Sequence, residues 1–128
     1  MTRAIMRYDF IFITAALACL LTGMSMGIWM GIAHDFTLSP VHAHLNLLGW
    51  VTLALYGLIH RTYPALGQSR AALPQCVLAI AASLTMPAGI ALSILAQQPI
   101  VAIVASLFLL IATATFATMF VRRARASV

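Results

Sequence analysis

The segment Val41-His42-Ala43-His44-Leu45-Asn46-Leu47-Leu48-Gly49-Trp50 puts two imidazoles at the start of a long apolar run. That run, residues 41–59, contains no charged side chain. It is close to the ~20 residues that a helix needs to cross ~30 Å of hydrocarbon. Imidazole is costly to bury in lipid unless something binds it. The usual tenants of such a pair are metal ions or haem iron.

Three further stretches, residues 10–33, 73–96 and 100–121, are also free of charge. The chain has 128 residues, of which 63% are hydrophobic and 7% charged. A soluble domain is about 25% charged. The composition predicts an all-α integral membrane protein, a single domain over residues 1–128. Its four transmembrane helices cover about 10–33, 41–60, 73–96 and 100–121. Four segments are too few for an edge-free barrel, so helices are the expected way to satisfy the backbone in lipid. The first run is longer than the 7–15 apolar residues of a signal peptide, so it is expected to stay in the membrane.

All seven positive charges are arginines. They precede the first span (Arg3, Arg7), separate the second from the third (Arg61, Arg70), or follow the fourth (Arg122, Arg123, Arg125). The positive-inside rule then predicts cytoplasmic termini in a bacterial-type inner membrane, with His42 and His44 near the outer face. Arginines at segment ends set orientation and do not point to nucleic acid. Cys19 and Cys76 form no Cys-x-x-Cys motif, which excludes covalent haem attachment; both read as small buried hydrophobes.

Gly23, Gly27 and Gly31 recur every four residues on the first span. Such a stripe lets another backbone approach closely, within the four-helix unit or between subunits. Met24, Met26 and Met30 around it are expected to be apolar filler. In the second span, Pro40 suits a first helical turn and Ser39 is a candidate cap. Pro87 interrupts the third, where Ser83 and Thr85 are candidates to satisfy the freed backbone.

Residues two apart on a helix point about 200° from each other. His42 and His44 therefore look to opposite sides and cannot easily clamp one ion. Asn46 and Gly49 follow on roughly the side of His42, and glycine there would leave room for a flat ring. His60 lies ~27 Å further along the axis and is expected to be an interfacial residue beside Arg61 and Tyr63. His34, near Asp35, is expected to be solvated or locally hydrogen-bonded.

The run from His42 to Val51, with Leu48-Gly49-Trp50 after the His-x-His pair, resembles a helix of the haem–copper oxidase superfamily. It looks most like the tenth helix of the main subunit in cbb-type oxidases and nitric oxide reductases. The resemblance implies that His42 and His44 ligate haem iron on opposite sides of the helix, with Asn46, Gly49 and Trp50 beside the ring. It also implies that this chain corresponds to one of the family's three four-helix arcs. No counterpart of the copper-ligating helix is present, which argues against oxygen or nitric oxide reduction by this chain alone.

The resulting expectation is a haem-b membrane protein, assembled as a homo-oligomer with three copies favoured. Electron transfer through a redox partner or a quinol would be its role. Two alternatives stay open. One is a copper or zinc site built from His42, His44, His34 and the methionines across a subunit contact. The other is an accessory or assembly subunit without a cofactor.

Overall fold

A computed structural model describes residues 6–125, apart from the side chain of Ala124. Every regular element among these residues is helical. The first helix, α1 (Tyr8–Ala33), ends where His34 takes a left-handed conformation (φ 52°) and its backbone N–H donates to the Met30 carbonyl. Histidine is among the non-glycine residues that tolerate this geometry.

A second helical rod follows in three parts: α2 (Ser39–His44), a π-helical stretch (Leu45–Thr52) and α3 (Leu53–Thr62). Their junctions at His44, Leu45, Thr52 and Leu53 all keep right-handed helical dihedrals, so the rod is continuous. Ser39 is already inside the helix. The cap position falls on Leu38, which makes no side-chain capping bond, while Pro40 takes the first turn as expected. A 3₁₀ segment (Pro64–Gln68) leads to α4 (Ala72–Ala96) and α5 (Ile100–Ala124).

The π-helical stretch has a packing reason. Val41, Leu45, Gly49, Leu53 and Gly57 are all buried and recur at a spacing of four. An α-helix with 3.6 residues per turn would rotate such a stripe steadily away from its neighbour. A π-helix, with its longer i→i+5 ring, rotates it back. Alternating the two keeps one straight face against α1. Thr52 follows the same register, its hydroxyl donating to the carbonyl of Leu47, five residues earlier, at 2.9 Å.

The helices pair as α1 with the second rod, and α4 with α5. Phe12, Leu53 and Leu66 are fully buried, and Tyr8, Tyr56, Cys76, Phe116 and Met119 complete a core around them. This core lies toward the end of the molecule that carries the arginines. Outward-facing positions are apolar: Leu21 is 67% exposed, Ile32 77% and Leu110 67%. In water such a surface would be an aggregation hazard, and in lipid it is ordinary. Three helices, α1, α4 and α5, are long and apolar enough to cross a membrane.

Pro87 sits inside an unbroken α4. The carbonyl it orphans is that of Ser83. The two residues expected to help do not reach it. Thr85 donates to Ala81 at 2.7 Å, and the Ser83 hydroxyl is buried without a partner among the described residues. Both cysteines are free and buried, packed as small hydrophobes. Of the methionines beside the stripe, Met30 is 3% exposed and Met24 54%, so they fill different surroundings and do not converge.

Candidate functional site

His42 faces α1. Its Nδ1 lies 2.8 Å from the carbonyl oxygen of Gly23. A carbonyl only accepts, so Nδ1 carries a proton, and in the neutral ring the lone pair lies on Nε2. The Asn46 amide nitrogen, 3.3 Å from the same Nδ1, therefore finds no acceptor there. It donates to the His42 carbonyl at 2.9 Å.

The glycine stripe makes this seat. A Cβ at Gly23 would stand 2.6 Å from Asn46 Oδ1, and one at Gly27 would stand 2.9 Å from His42 Cε1. Gly31 has nothing within 4 Å. Of the two readings of the stripe, packing inside the chain accounts for Gly23 and Gly27, whose missing side chains are replaced by Asn46 and His42.

His44, two residues further on, is half-buried. Its Nδ1 donates to the Pro40 carbonyl at 2.8 Å. Both imidazoles are thus in the same state. Each Nδ1–H is held by a backbone carbonyl, so in the neutral ring Nε2 is the nitrogen with the lone pair. Metal-bound histidines are fixed in this way by the carbonyl behind them.

Gly49 does not open onto free space. A Cβ there would meet Cys19 Cβ and Sγ, both at 2.8 Å. The room expected for a flat ring is occupied by Cys19 of α1, because the π-helical stretch turns Gly49 into that interface. Trp50 is partly buried and packs on the hydrophobic core. Among the described residues, no three His, Cys, Asp or Glu side chains come together as a metal site.

His60 departs furthest from expectation. It lies at the arginine-rich end beside Arg61, yet it is enclosed by the protein and only 5% exposed. Its ring lies 5.3 Å from Tyr8, 5.6 Å from Phe12 and 5.8 Å from Phe116, centroid to centroid. Its Nε2 is buried with no hydrogen-bond partner among the described residues. Leaving such a group unpaired costs about 1–3 kcal/mol. The reason is registration: in the α-helical α3, His60 lies four residues after buried Tyr56 and three after buried Gly57, on the same face.

Around His60 the arginine-rich end is ordered by a single carboxylate. Asp9 takes two hydrogen bonds from Arg7, both at 2.9 Å, and stands 3.5 Å from Arg61. At the other end, Asp35 accepts from the Thr37 hydroxyl at 2.6 Å and its backbone N–H at 3.0 Å. Those two donors hold the Asp35 carboxyl below the usual carboxylate range, the hydroxyl most strongly. Compared with family models, curated proteins and solved structures, the chain matches none.

Proposed function

We propose that this chain is a four-span haem-b protein of a bacterial-type inner membrane, with cytoplasmic termini, in which the Nε2 atoms of His42 and His44 are the iron ligands. The rod of residues 39–62 is then the fourth span beside α1, α4 and α5. One observation supports the ligand assignment above the others: both Nδ1 protons are pinned on backbone carbonyls. That leaves two oriented nitrogen lone pairs. Porphyrin iron needs only one or two protein ligands, whereas structural zinc takes four. The donor supply of this helix therefore suits haem better.

The opposed directions expected of rings two residues apart lead to a homo-oligomer, with a ring of three copies favoured. Both rings are half-buried, His42 in the glycine-lined seat. A head-to-tail contact that closes on itself can bring His42 of one copy toward His44 of the next. Haem bound by two imidazoles supplies one-electron transfer. The protein's part is to hold both tautomers and to keep the ring out of water. A redox protein or a quinol would be the exchange partner.

The test is an absorption spectrum of protein purified from haem-replete cells. A Soret band with a sharp α-band on reduction is expected. His42→Ala or His44→Ala should remove most of it, and His60→Ala should leave it. Equal haem in all three variants would remove the ligand assignment. Bound copper or zinc without a Soret band would favour the metal site instead, and neither would favour a cofactor-free subunit. Native mass spectrometry that finds haem on monomers alone would end the ring arrangement.

A further inference from the structure

A cavity lies at the arginine-rich end, roughly 25 Å along the rod from His42, and takes no part in the haem reading. Its volume is about 820 Å³. Three guanidiniums, those of Arg7, Arg61 and Arg70, line it together with the carboxylate of Asp9 and the ring of His60. Asp9 is shared by Arg7 and Arg61, while Arg70 has no partner among the described residues. Three cations against one anion leave a surplus of two positive charges in one concave space.

Two neighbouring features shape the ligand. The wall behind the arginines is mostly buried aromatic surface, with His60 among Tyr8, Phe12 and Phe116. At the rim, the apolar side chain of Met6 is 47% exposed. A ligand matched to this cavity has two negative charges that accept from planar guanidiniums, and an apolar part that stays in the bilayer. Phosphate oxygens meet the first requirement, because guanidinium donates to them in pairs. Basic pockets between membrane helices take diphosphate lipid headgroups for this reason.

We propose that this cavity is a binding site for the headgroup of a lipid carrying two phosphates, of the cardiolipin type. Arg70 and Arg61 are its principal contacts. Asp9 holds Arg7 and Arg61 at the wall, so that their guanidiniums converge without folding back onto the helix. The site shares with the haem reading only the placement in a membrane, and its success or failure does not depend on any cofactor.

The experiment is native mass spectrometry of the full chain, released from detergent containing cardiolipin, phosphatidylglycerol and phosphatidylcholine in equal amounts. Cardiolipin should be retained preferentially. Arg70→Gln should weaken that retention about fivefold, the effect of one basic side chain at a membrane surface. Arg61→Gln should act in the same direction, so the result does not hang on one variant. Arg122→Gln, at the same end but lining a different cavity, should change retention by less than about twofold. An equal loss in Arg122→Gln would overturn the site, since binding would then follow total charge. Equal retention of the one-phosphate lipid would also overturn it. Displacement of cardiolipin by millimolar inorganic phosphate would assign the cavity to soluble phosphates and end the lipid assignment.

Discussion

Replacing Gly27 by alanine tests whether the first helix is shaped around His42, and Gly31→Ala is its internal control. The added methyl at position 27 would stand 2.9 Å from His42 Cε1. Carbon atoms in contact rest at about 3.5–4.0 Å, so the ring would have to retreat by more than ~0.5 Å. It is held at its other side by the 2.8 Å bond to Gly23. Breaking that bond costs about 0.6 kcal/mol in a bilayer, and separating the helices instead costs about 1–3 kcal/mol of overpacking. At position 31 nothing lies within 4 Å, so alanine there reports helix propensity alone, a gain of up to about 1 kcal/mol. The two variants should therefore differ by about 0.6–3 kcal/mol, with Gly27→Ala the less stable. Reversible unfolding in mixed micelles, followed by far-ultraviolet circular dichroism, measures the difference. If the two unfold together, or if Gly27→Ala is the more stable, His42 does not occupy the seat described.

Gly89→Ala should be more damaging than Gly31→Ala in the same assay, by about 1–3 kcal/mol, because its methyl would meet the α5 backbone at 2.6 Å from Ala102 N, where no side chain can yield. Tyr56→Phe removes the 2.9 Å hydrogen bond to Thr113 and should cost about 0.6 kcal/mol, with ~1.7 as the upper bound for such bonds in lipid. Asp35 has a lowered carboxyl pKa in the folded chain, so its contribution is complete above the ordinary value near ~3.9 and fades as the pH falls through the folded value. The Thr37 amide signal in a nuclear magnetic resonance titration should accordingly move with a midpoint below ~3.9, and Asp35→Asn should abolish that movement; a midpoint at or above that value would contradict the turn geometry.

Helix placement was legible because partition into lipid is close to a sum over consecutive residues. Uncharged runs 10–33, 73–96 and 100–121 became α1, α4 and α5 within a few residues of those bounds. The second rod was less so. A four-residue stripe at Val41, Leu45, Gly49, Leu53 and Gly57 suits neither an α-helix nor a strand, and the π-helical stretch that accommodates it is a property of the contact with α1.

Burial, tautomer and vacancy depend on atoms far apart in the chain, and these the tertiary structure decided. Gly49 was read as space for a ring, yet Cys19, thirty residues earlier, fills it. His60 was read as interfacial from its arginine neighbour, yet Tyr8 and Phe116 enclose it from two other helices. The carbonyl that sets the proton on His42 belongs to Gly23 on another helix, so its free nitrogen could not be inferred from position 42 alone. The sequence by itself determined which segments leave water, because that follows from neighbouring residues. Only packing decided what each imidazole touches, because hydrogen bonds and steric exclusion act over a few ångströms in space, whatever the separation along the chain.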